Sequence, residues 1–123
     1  MKRVIFASIA LAAITIWFVA GCSPKSGAFG QPINETKITA VKDILGSPAQ
    51  FKGKTVLVKG NIIEECPAGG WFMLKDDTGV IYVNLHPSYF AIPQAVGRKA
   101  SAQGKVTVEY AQVSIIGEGV EIK

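Results

Sequence analysis

The sequence predicts an all-β fold with a few short helices, closed as a small five-stranded barrel. Three observations predict it. Five segments between Thr55 and Ile122 are rich in β-branched residues or alternate apolar with polar positions. The first of them carries Gly60 midway, where a strand bends or bulges. The third and fourth are separated by residues 86–97, which Pro87 and Pro93 break into a short helix or irregular crossover. Five strands in an open sheet would leave two exposed edges, and closure removes them.

The start of the chain reads as a targeting segment. Lys2-Arg3 precedes an apolar run from Val4 to Ala20, 17 residues interrupted only by Ser8 and Thr15. Positive charge, apolar run and small residues together make a secretory signal. As a bilayer span the run sits at the short edge of the roughly 17–25 residues required. Val19-Ala20-Gly21-Cys22 at its end resembles the bacterial lipobox. That resemblance implies a lipoprotein signal peptide over residues 1–21, cleavage before Cys22, and lipidation of Cys22 with acyl chains such as palmitate. Two or three lipid chains anchor a protein stably where one would not. The expected location is the cell envelope, tethered to a membrane, on the periplasmic side of the outer membrane if the cell is Gram-negative.

Loss of residues 1–21 leaves 102 residues, enough for one small domain. The whole chain carries net charge +4, but Lys2 and Arg3 leave with the signal, so eleven basic residues face nine acidic ones and the net falls to +2. That balance argues against polyanion binding by bulk charge. Only Lys52, Lys54 and Lys59 form a loose basic cluster. Once Cys22 is lipidated, Cys66 is the one thiol left, so an intramolecular disulfide is excluded and the apolar core must hold the fold.

In chain order, residues 22–37 are dominated by Ser, Pro, Gly and Lys and predict a tether, with Phe29 and Ile33 able to pack on the domain as an N-terminal arm. The domain is expected over residues 38–123. Thr39 is the expected N-cap of a short helix whose Val41, Ile44 and Leu45 face the core, with Gly46-Ser47-Pro48 ending it. Gln50 to Lys54 turns into the first strand, Thr55 to Glu64. Trp71 to Asp76 and Val80 to Leu85 form a hairpin about Asp77-Thr78-Gly79. Lys99 to Glu109 and Gln112 to Ile122 form a second, joined at Tyr110-Ala111, with Gly117 and Gly119 marking a bulge in the last strand. Alternation assigns twelve residues to the barrel interior: Val56, Val58, Ile62, Phe72, Leu74, Ile81, Val83, Leu85, Val106, Val108, Val113 and Ile115. Each large side chain buried contributes about 1.5–3 kcal/mol.

Phe51-x-Gly53-Lys54-x-Val56-x-Val58-x-Gly60 and Trp71-Phe72-x-Leu74-x-Asp76-x-Thr78-Gly79-x-Ile81-x-Val83, followed by Gly97 and Gly104, resemble the anticodon-binding-like, nucleic-acid-binding OB-fold domains. The likeness spans Ile38 to Lys123, and more narrowly the chain resembles small exported OB-domain proteins of uncharacterised function. Some of those carry a second cysteine before the tryptophan, where this chain has Gly70. OB domains bind single-stranded nucleic acid, oligosaccharide or protein on their second and third strands. The resemblance therefore implies a ligand surface of Trp71, Met73, Lys75, Tyr82 and Asn84, with Lys59 and Asn61 beside it. The competing reading is that Trp71 and Tyr82 cover a barrel end or lie under the N-terminal arm.

No enzyme constellation is found. The single histidine, His86, has no nucleophile-elbow serine, and the chain has no phosphate loop. One histidine and one cysteine cannot build a four-ligand zinc site unaided, so Cys66 and His86, helped by Met73, make at most a weak metal site, and no cofactor is expected. Glu64-Glu65 and Asp76-Asp77 are expected to be solvated turn residues. The sequence thus points to a non-enzymatic, membrane-anchored binding module, its partner an envelope glycan or protein. Single-stranded nucleic-acid binding and a Cys66-centred metal or redox accessory role are the alternatives.

Overall fold

The structure, a computed structural model, describes residues 26–123. Residues 1–21, expected to be a lipoprotein signal peptide, and Cys22, the expected lipidation site, lie outside the described residues. The described residues form six strands: β1 (Gly27–Gly30), β2 (Thr55–Glu65), β3 (Trp71–Lys75), β4 (Val80–Asn84), β5 (Lys99–Glu109) and β6 (Gln112–Ile122). Two short helices, α1 (Val41–Gly46) and α2 (Pro48–Phe51), precede β2, and a single 3-10 turn, His86–Ser88, opens the crossover to β5.

Strands β2 to β6 close on one another. β2 pairs antiparallel with β3, β3 with β4, β5 with β6 and β2 with β5, and the circle is completed by β6 running parallel to β4. This is the expected five-strand barrel, and its connectivity fits an OB-like fold. Ten of the twelve assigned interior residues are buried, Phe72, Leu74, Ile62, Val58, Val83, Leu85 and Ile115 completely. Val108 and Val113 are only half-buried, because they sit where the β5–β6 hairpin runs out past the barrel. Ile92 and Ala95 from the crossover, with Ala100, Ala102, Val120 and Ile122, complete the core.

Three local expectations are corrected. First, residues 22–37 are more than a tether over their described part, although Phe29 packs against the core as the arm was expected to do. Gly27–Gly30 pairs antiparallel with the end of β6, from Gly27↔Ile122 to Gly30↔Gly119. The chain then crosses the outer wall as a strap. The Gln31 N–H donates to the Glu118 carbonyl at 2.8 Å, and the Asn34 and Glu35 N–H groups donate to Gln103 Oε1 at 2.9 and 2.8 Å. Thr39 N–H donates to Leu57 O on the far edge of β2. The polar strap residues are held by backbone hydrogen bonds, which hydropathy does not register.

Second, the N-cap of α1 is Ala40, with no side-chain cap of its own. The orphan amides are satisfied from the β3–β4 turn: Val41 N–H donates to Asp76 Oδ2 at 2.9 Å and Lys42 N–H to Thr78 Oγ1 at 3.0 Å. Val41 and Ile44 are buried as expected, whereas Leu45 is 40% exposed. Third, β2 passes Gly60 in continuous register with β5, and its bulge lies between Ile62 and Glu64, leaving Ile63 unpaired and exposed. No bulge falls at Gly60, but β2 passes from pairing with β5 to pairing with β3 at the next residue, Asn61, and a side chain at Gly60 would overlap the Lys75 carbonyl. The bulge expected in the last strand is present: Gln103 pairs with Gly119 and Gly104 with Gly117, so Glu118 is the extra residue.

Candidate functional site

The register of the barrel sorts the outward side chains into rows. Trp71 lies opposite Asn84, and Asn84 opposite Ile116 on β6, which in turn opposes Lys105 on β5. The next row runs Glu64, Met73, Tyr82, Ser114, Thr107 across β2, β3, β4, β6 and β5. Trp71 and Tyr82 are thus diagonal neighbours on one hairpin, and their rings lie 5.5 Å apart, tilted by 33°. Both are half-buried, as are Met73 and Asn84. The N-terminal strap passes over Gln103 and Leu57 rather than over this pair.

Burial, and secondarily the nearby Cys66 thiol, push the Tyr82 hydroxyl above the ordinary tyrosine range. Tyr82 is therefore a neutral hydrogen-bond donor at physiological pH. Cys66 closes the β2–β3 loop: its N–H donates to the Trp71 carbonyl at 3.0 Å, and its own carbonyl accepts from Gly69 N–H at 2.8 Å. Gln94 Nε2 bridges this loop to the crossover by donating to the Pro67 carbonyl at 2.8 Å. Glu65, expected to be solvated, faces inward opposite Phe72. Its Oε1 accepts the Ala95 N–H, and its Oε2 is buried without a hydrogen-bond partner.

Lys75, Lys59 and Asn61 do not join the aromatic pair. Lys75 is on the same face of β3 as Trp71 but four residues away, about 13 Å along the strand. These three line a separate groove of about 300 Å³ with Lys99, Ser101, Lys123, Asp77 and Glu121. The groove was not legible in the sequence, because it collects residues from four strands.

Cys66 lies in the β2–β3 loop and His86 in the 3-10 turn after β4. The His86 ring sits over Gly70, where any side chain would collide with it, and lines an open depression of about 440 Å³ with Ala68, Tyr89, Phe90 and Ala91. Among the described residues, no group of three or more His, Cys, Asp and Glu side chains is placed to hold a metal ion. Among the same residues, no helix is long and apolar enough to cross a membrane.

The sequence reading missed the contribution of β6. Ser114 and Ile116 extend the Trp71–Tyr82 face through the parallel β4–β6 pairing, with Thr107 and Lys105 beyond. Local alternation cannot show which distant strand lies alongside.

No family model matches the chain, and no curated protein matches it. Among solved structures it is similar to the hypothetical protein ygiW from E. coli, with 22% sequence identity and a TM-score of 0.53 over 80% of this chain and 100% of that one. The likeness supports the barrel fold.

Proposed function

We propose that this domain is a non-enzymatic binding module of the cell envelope, anchored through lipid on Cys22, which takes its ligand on the Trp71–Tyr82 face. The observation that carries the reading is the aromatic pair itself: two half-buried rings in contact on an outer barrel wall, not in the core and not under the strap. Ring faces flanked by Asn84, Ser114 and the Tyr82 hydroxyl offer stacking together with neutral hydrogen-bonding groups. That combination suits an uncharged sugar ring better than a phosphate backbone, which needs cations beside the stacking platform. The only lysine in these two rows is Lys105, three strands from Trp71. An envelope oligosaccharide is therefore the preferred ligand, and single-stranded nucleic acid the second reading.

Trp71 emission tests the proposal in a Trp17→Phe background, where Trp71 is the sole tryptophan. An N-acetylated amino-sugar oligosaccharide is expected to shift the emission, and a Tyr82→Ala variant, which keeps Trp71, is expected to lose that shift. A response to oligothymidylate alone would favour the nucleic-acid reading. No response to either would overturn the ligand face.

A further inference from the structure

The groove beside β2 has a relation to the chain's point of entry that the ligand face lacks. Lys75 lies opposite Asn61, Asn61 opposite Lys99, and the Lys123 N–H donates to the Lys99 carbonyl at 2.9 Å. Three lysines and an asparagine thus form one row across β3, β2, β5 and β6. Lys59 stands in the adjacent row, opposite Ser101, which faces Glu121. All four lysines are exposed. Asp77 and Glu121 are the acidic side chains that share the groove, Asp76 being turned into its own hairpin by hydrogen bonds from Thr78 and Gly79.

The row ends where the chain enters the domain. Gly27 pairs with Ile122, which places Ser26 one step on, beside Lys123. Arg98 fastens that corner: its Nη2 donates to Ser26 Oγ and its Nε to the Lys123 carbonyl, both at 2.7 Å. Four chain steps separate Ser26 from Cys22, a reach of at most about 14 Å.

We propose that this lysine row is a docking surface for an anionic lipid bilayer, seating the domain on the membrane that holds its anchor. The proposal rests on the anchored reading of Cys22. A short lead lets the Lys123 end of the row come within a screening length, about 8–10 Å, of the lipid phosphates and keeps it from straying beyond about 14 Å of the anchored residue, so basic side chains there are attracted to anionic headgroups. The same orientation has a consequence for the ligand face. Trp71 is at the opposite end of β3 from Lys75, so seating the row on the bilayer turns the aromatic pair outward.

The test uses the full, lipidated chain in vesicles of phosphatidylcholine alone or with phosphatidylglycerol, with lysine acylation by an impermeant reagent read by peptide mass spectrometry. In phosphatidylglycerol vesicles, labelling of Lys59, Lys75, Lys99 and Lys123 is expected to fall about fivefold relative to phosphatidylcholine. Lys52 and Lys105, exposed at the other end of the barrel, are expected to be unchanged. Salt at about 0.5 M restores the labelling. A Lys99→Glu, Lys123→Glu variant loses the protection of Lys59 and Lys75. Equal labelling in both vesicles, from protein that floats with both, overturns the docking surface. Protein that floats with neither overturns the anchor, and the docked orientation with it.

Discussion

Asp76 caps a helix that begins 35 residues earlier: its Oδ2 accepts the Val41 amide at 2.9 Å, while Oδ1 accepts from Thr78 Oγ1 at 2.6 Å and from the Thr78 and Gly79 amides. One carboxylate therefore shapes the β3–β4 turn and fixes the helix that covers that end of the barrel. Asp76→Ala is expected to lower stability by about 1–2 kcal/mol, the scale of a lost helix cap. Urea unfolding measures it. An unchanged midpoint would show that Thr78 and water suffice as a cap.

The same carboxylate gives the domain an acid-sensitive element. Burial raises its pKa, but hydrogen bonds from the Thr78 side chain and from the Val41, Thr78 and Gly79 amides outweigh that and bring it below the ordinary 3.8. The unfolded chain therefore takes up this proton first as pH falls. Stability from Asp76 is complete above about pH 4 and is lost as pH drops through the lower folded value. Thermal unfolding between pH 5 and pH 2, on the order of the relevant carboxylate range, should show a shallower decline for Asp76→Asn than for wild type. Parallel curves would remove Asp76 from the acid response.

Gln103 is 7% exposed, and its Oε1 accepts both strap amides, Asn34 and Glu35. Gln103→Ala should loosen the strap by about 1 kcal/mol while leaving the barrel intact, so exchange at those two amides is expected to quicken about fivefold. Hydrogen exchange resolved by residue gives the answer. Uniform acceleration across the core would mean that the strap and barrel open together.

Trp71→Ala separates packing from recognition. The ring is half-buried on the outer wall, and its principal ring neighbour is Tyr82. Loss of the pair should cost about 0.5–1.5 kcal/mol beyond the area exposed, whereas Phe72→Ala, one residue on and fully buried, should cost about 3–5 kcal/mol. Sugar titration by calorimetry should fail for Trp71→Ala and survive any core variant that still folds. Binding retained by Trp71→Ala would remove the residue from the ligand face.

Strand positions were legible because alternation and turn residues are local. Lys99–Glu109 and Gln112–Ile122 have the limits the sequence predicts, and the Trp71–Tyr82 contact follows from one hairpin register. What was not legible depended on distant partners. Thr39 has a good capping side chain, but the Asp76 and Thr78 acceptors took over the helix end. Residues 27–35 have a linker's composition, yet β6 and Gln103 supply their hydrogen bonds. Gly60 suggested a bulge or a bend; the bulge lies elsewhere, and the glycine's missing side chain makes room for Lys75. The lysine row needs four strands in register before it exists at all.

The pairing of Gly27–Gly30 with Val120 and its neighbours also sets an order of assembly. The first described strand pairs with the last one, so the longest loop in the domain closes only after residues 119–122 have been made. Such closure is among the slowest contacts for a chain of this size to form. A chain stalled or clipped before Gly119 would lack the partner for β1 and the closing end of the last barrel strand together. Completion of the far end is thus a condition for docking the near one.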